Sequence, residues 1–107
     1  MPLHVIEQLP DDALEAAAEF YARDLEVLML ELAGPSTPGE DLLIVFPPAS
    51  HEHRAWRLAA IQDLARRAAP VRVNGVVRED GADLAAASRF LAGAPGITGQ
   101  LLAIAAD

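Results

Sequence analysis

Ala59-Ala60-Ile61-Gln62-Asp63-Leu64-Ala65-Arg66-Arg67-Ala68-Ala69-Pro70-Val71-Arg72-Val73-Asn74 decides the fold of this chain. Apolar residues three and four apart give its first part the period of an amphipathic helix. Pro70 stops that helix. The β-branched residues beyond it read as a strand ending in asparagine. A helix running straight into a buried strand is half of a β-α-β unit.

Upstream, Asp41-Leu42-Leu43-Ile44-Val45-Phe46 is apolar without alternation, the pattern of a strand covered on both faces in a parallel sheet. Pro47-Pro48 ends it. Ser50 is placed to cap a helix from about His51 to Ala69, with Trp56, Ala60, Leu64 and Ala68 along one side. Leu3 to Leu9 reads as a short strand, Pro10-Asp11-Asp12 as a helix start, and Ala13 to Ala33 as a long helix. Its expected inner stripe is Leu14, Ala18, Tyr21, Leu25, Leu28 and Leu32, which puts Tyr21 in the core. Phe20, Val27 and Leu30 fall on other sides, so the apolar surface is wider than one buried stripe requires. Gly34-Pro35 ends this helix, and Ser36 to Glu40 reads as a polar loop.

Downstream, the strand runs from Val71 to Val77 and Arg78-Glu79-Asp80-Gly81 turns the chain. Asp80 and Asp83 are placed to cap a helix from about Ala82 to Ala92, which Gly93, Pro95 and Gly96 end. Ile97-Thr98-Gly99-Gln100 is a tight turn into a last strand, Thr98 to Ala105. The order β-α-β-α-β-α-β predicts an α/β fold: a four-stranded, mostly parallel sheet and three helices in three layers, with right-handed crossovers. A chain of 107 residues makes a single domain, 1–107.

Composition narrows the function. The formal net charge is −8, and with no lysine present all fixed positive charge is arginine. An acidic chain repels phosphate backbones, so nucleic acid is not an expected partner. Without cysteine there is no disulfide, thiolate nucleophile or zinc–sulfur site. No apolar run approaches the ~20 residues that span a bilayer, and the N-terminus lacks a basic, apolar signal segment. No membrane partner is expected, and the cytoplasm is the expected location. The abundance of Ala, Arg, Asp and Gly suggests a bacterial source. Yet 52% of residues are hydrophobic and mean hydropathy is +0.22, rich for so small a body. Apolar surface in this excess is expected to be covered by another chain.

Taken in order, residues 55–77 and 84–104 resemble the C-terminal half of the short-chain dehydrogenase/reductase family. The resemblance lies in the helix through Leu64-Ala65 to Pro70, in Val71-Arg72-Val73-Asn74, and in the Ile97-Thr98-Gly99-Gln100 turn. It implies a truncated Rossmann-like fragment, the last four strands of the family sheet. The family's dinucleotide site is a glycine-rich loop between a first strand and first helix. The glycines here stand singly: Gly34, Gly39, Gly75, Gly81, Gly93, Gly96 and Gly99. Counting back from Pro70, the family's catalytic tyrosine and lysine fall near Ser50 and Arg54. Serine cannot replace a phenol in proton transfer, and arginine stays protonated where lysine would share a proton. The family's long substrate loop is replaced by the short Arg78-Glu79-Asp80-Gly81 turn. The resemblance therefore implies no cofactor, and no catalytic, cofactor-binding or metal residue is assigned.

Other residues invite chemistry and are read structurally. His51-Glu52-His53 mimics a metal motif, but residues two apart on a helix point in different directions. Ser50 with His51 or His53 mimics a nucleophile and base, but a capping serine spends its oxygen on the backbone. Trp56 suits a core or an interface. Asn74 is expected to hydrogen-bond a neighbouring loop, and Arg66-Arg67 to pair with Glu15 and Glu19. Glu79, Asp80 and Asp83 read as a solvated loop. In full-length relatives the two helices flanking the serine strand pack against their copies as a four-helix bundle. The resemblance thus implies a non-catalytic homodimer through helices 13–33 and 51–69, with one helix left to cover the opposite sheet face. The alternatives are a regulatory or scaffolding subunit of a full-length dehydrogenase and a small enzyme of unrelated chemistry.

Overall fold

The computed structural model of the chain describes residues 3–33, 41–79 and 83–103. Four parallel strands, β1 (Leu3–Val5), β2 (Leu42–Phe46), β3 (Val73–Val77) and β4 (Leu101–Ala103), lie side by side in chain order. The continuous apolar run makes β2 the central strand, and all five of its residues are buried. Leu42, Ile44 and Phe46 face one side, Leu43 and Val45 the other, and each side has its own apolar cluster.

The first side carries two helical segments. One runs α1 (Ala13–Glu19), a π turn (Phe20–Asp24) and α2 (Leu25–Ala33). The other is a 3₁₀ turn (His51–His53) leading into α3 (Arg54–Ala68). The rings of Phe20, Phe46 and Trp56 meet with centroids 5.4 to 5.9 Å apart and tie both segments to β2. Trp56 is therefore part of this core. Among the described residues the second side carries α4 alone (Leu84–Ala92), whose Leu91 and Leu84 cover Leu43, Val45 and Val76. That cover stops short of β1, where Leu3 and Val5 are 43% and 38% exposed.

The parallel sheet with three helical segments is the architecture expected, with one correction. All three steps between strands run in the same direction across the sheet, yet α4 lies on the face opposite α1–α3. The last crossover therefore has the opposite hand to the first two, and a uniformly right-handed set fails there.

The long first helix corrects a second expectation. The buried residues are Ala16, Phe20 and Leu28, while Leu14 is 81% exposed and Tyr21 42%. The cause is the π turn, in which the Leu25 N–H reaches back five residues to the Phe20 carbonyl. One extra residue in a turn rotates everything before it relative to everything after it. A stripe with uniform helical spacing therefore fits only the second half, where Leu25, Leu28 and Leu32 do pack inward.

Two of the expected helix caps form. Asp12 accepts from the Glu15 N–H at 2.9 Å, and Asp83 from the Ala86 N–H at 2.9 Å. Gly99 takes a positive φ of 70° in the turn before β4, a conformation that favours glycine. β1, β3 and β4 are shorter than their apolar runs, and Asn74 is the second residue of β3 rather than a strand's last. The expected stop at Gly34-Pro35, the loop 36–40, Asp80 in the acidic turn, and the end of the last strand past Ala103 lie outside the described residues. Among the described residues no helix is long and apolar enough to cross a membrane.

Candidate functional site

In an open parallel sheet the carboxyl ends of the strands are where loops are free to form a site. Here the segments after β1 and β2 enclose a cleft of about 400 Å³, lined by residues 7–11 and 47–50 together with His53 and Arg57.

His53 is buried and both ring nitrogens are engaged. Its Nε2–H donates to the Asp11 carbonyl at 2.8 Å, and its Nδ1 accepts from the Trp56 indole N–H at 3.3 Å. A carbonyl only accepts and an indole only donates, so one tautomer is fixed. The imidazole bonds the β1–α1 loop to α3 and has no nitrogen left for an ion. His51 is exposed.

Ser50 holds the N-cap position of the 3₁₀ turn, but its hydroxyl makes no cap hydrogen bond, contrary to expectation. It is exposed and borders the cleft. Arg54 leans the other way, its Nη1 donating to the Leu101 carbonyl at 3.4 Å. The two positions at which the resemblance places tyrosine and lysine thus hold an unengaged serine and a guanidinium directed at β4. Tyr21 sits on the first helix with its ring edge-on to Phe20. Desolvation, with the Asp63 charge, raises its pKa above the ordinary phenol value, away from what a proton shuttle at neutral pH needs.

Arg57 is the residue that sequence reading missed. It is 2% exposed, its Nη1 donates to the Pro47 carbonyl at 2.9 Å, and its guanidinium stacks 4.8 Å from the Phe46 centroid and 5.6 Å from that of Trp56. Its Nε and Nη2 have no hydrogen-bond partner among the described residues. Desolvation by burial lowers its pKa to about 10, so it remains charged at neutral pH. The signal was present: Arg57 is four residues past His53 and four before Ile61, inside the apolar stripe of α3.

At the opposite, amino end of the strands, polar side chains pair with one another or with backbone. Asn74, fully buried, donates through Nδ2 to the Ile97 carbonyl at 3.0 Å and accepts at Oδ1 from the Gln100 N–H at 3.1 Å. This is the loop contact expected of it. Arg72 donates through Nε and Nη2 to Asp41 Oδ2 at 3.0 and 2.8 Å, and through Nη1 to the Leu91 and Ala94 carbonyls. Arg66 pairs with Asp63 one turn back on α3, rather than with Glu15 or Glu19. Glu19 instead pairs with Arg23.

A family model described as "Short chain dehydrogenase-like protein" matches residues 4–104. No curated protein and no solved structure matches the chain.

Proposed function

Because the chain belongs to the short chain dehydrogenase-like family, we propose that it is a non-catalytic dehydrogenase-like module, one domain over 1–107, corresponding to the last four strands of the family fold. It acts in the cytoplasm as a homodimer built on helices 13–33 and 51–69. The observation that carries the non-catalytic part is the pair Ser50 and Arg54. Neither side chain is disposed for the proton relay that the resemblance would require there. The loop from β1 to α1, Glu7-Gln8-Leu9-Pro10-Asp11-Asp12, supports it further. Its helix start is already occupied by the Asp12 carboxylate, which repels a phosphate.

Dimerisation is supported by the first helix. Leu14 and Leu30 are 81% and 68% exposed, and Tyr21 and Val27 join them on the outside. Four large apolar side chains exposed along one helical segment are what a partner chain would cover. The outer side of α3 offers the small Ala55 and Ala59, which permit close approach of a second helix.

Light scattering on the purified chain at tens of micromolar should return twice the chain mass, and Leu14→Glu with Leu30→Glu should return one. A monomeric wild type overturns the dimer. Thermal unfolding with millimolar nicotinamide nucleotides tests the rest: no shift is expected, and stabilisation by several degrees would reveal a coenzyme site.

One observation favours the second reading, a regulatory subunit. Leu3 and Val5 leave the β1 end of the second face uncovered, and β1 pairs only with β2 among the described residues. Co-purification with a full-length dehydrogenase would support this reading.

A further inference from the structure

The free edge of Arg57 points to a ligand. In a planar guanidinium, Nε–H and one N–H of Nη2 run parallel along one edge, spaced to take both oxygens of a carboxylate. In Arg57 this edge has no partner among the described residues, while Nη1 is held by Pro47 and the plane is fixed between Phe46 and Trp56. A buried charge left in this state is costly unless something completes it. Arg57 borders the cleft at the carboxyl ends of β1 and β2, whose other walls include the apolar Leu9, Pro10, Pro47 and Pro48. The cleft is of a size that takes a small molecule. Ser50 contributes a hydroxyl free of capping duty, at the positive end of the helical segment that continues into α3.

We propose that this cleft binds a small organic monocarboxylate, its carboxylate forked onto Nε and Nη2 of Arg57 and its apolar body against Leu9 and the Pro47-Pro48 wall. A single negative charge is the better match. The exposed Glu7 and Asp11 also line the cleft, so a doubly charged phosphate would balance one guanidinium and meet two carboxylates. The two nitrogens are out of water's reach as the loops stand, so in this proposal the exposed Pro48-Ala49-Ser50 segment, which lines the cleft, shifts to admit the carboxylate. The site requires neither dimerisation nor catalysis, so it stands or falls separately from the function proposed above.

Thermal unfolding of the full chain with sodium propionate, benzoate, phosphate and chloride at matched ionic strength tests it. At least one carboxylate should raise Tm by a few degrees more than chloride, with phosphate below it, and Arg57→Met should abolish the excess. In wild type, titration with that carboxylate should move the Nε–H resonance of Arg57 among the eight arginines. That second readout decides the matter if Arg57→Met does not fold. The proposal is overturned if no carboxylate exceeds chloride, if phosphate exceeds both carboxylates, if Arg57→Met keeps the excess, or if the Arg57 Nε–H does not move.

Discussion

Arg72 and Arg57 are the same side chain at opposite ends of one sheet, and they are treated in opposite ways. Arg72 sits where the chain enters the strands. Its Nε–Nη2 edge is filled by Asp41, and its Nη1 gathers carbonyls from the end of α4 and the turn before β4. It therefore joins the starts of β2, β3 and β4. Arg57 sits where the chain leaves β2, with Nη1 held and the same edge unpaired. In a parallel sheet the entering ends serve to fix the strands, while the leaving ends carry loops and ligands. One arginine is saturated by its own chain. The other is held in place with its most directional donors uncommitted.

The same substitution at both positions should separate them. Arg72→Met strands the Asp41 carboxylate and removes donors from the Leu91 and Ala94 carbonyls. Breaking a largely buried pair by removing one partner costs about 3 kcal/mol, so urea unfolding should show a loss of that order. This is the largest effect expected.

Arg57→Met should go the other way. It removes a buried charge with two unpaired donors and keeps an unbranched chain of similar length between Phe46 and Trp56. One hydrogen bond to Pro47 is lost, so the net gain without ligand should be about 1 kcal/mol in the same assay. If Arg57→Met instead costs as much as Arg72→Met, Arg57 is a strut like its counterpart and the contrast between the two ends collapses.

The contrast also marks what the sequence could and could not reveal. β2 was legible because an unbroken apolar run has few other homes than a doubly covered sheet, and β3 because its valines follow a helix stopped by Pro70. The Asp12 and Asp83 caps were legible because they act within one turn. The Arg72–Asp41 pair was not, since its members lie 31 residues apart and meet only when β2 and β3 align. Arg57 was half legible: its place in the α3 stripe is periodic, but that its edge finds no acid depends on the two loops after β1 and β2. The first helix failed for a local reason with a distant cause. The π turn at Phe20–Asp24 leaves no mark in the spacing of Leu14, Tyr21 and Leu28, yet it decides which of them is buried.

The smallest effect distinguishes the two ends by pH. Partial burial pushes the Asp41 carboxyl up, but the Arg72 backbone N–H and guanidinium outweigh it and hold the carboxyl below its ordinary value. Its folded pKa is thus lower than its unfolded one. The stability it contributes is present above the unfolded value, about 3.9, and is lost as pH falls through the folded value. Asp41 is one of sixteen acidic residues, so its share emerges only as a difference. Wild type and Asp41→Asn should differ most in urea stability above about pH 4, and the gap should close on acidification below that. Burial shifts Arg57 in the sense that opposes folding, down to about 10. Its cost is therefore fully present at neutral pH and shrinks only as pH climbs past that value, because the folded state gives up the proton first. A gap between wild type and Asp41→Asn that stays constant through the acid range would mean that the Arg72–Asp41 contact does not hold the entering ends of the strands. The saturated arginine would then differ from the unsaturated one in geometry alone.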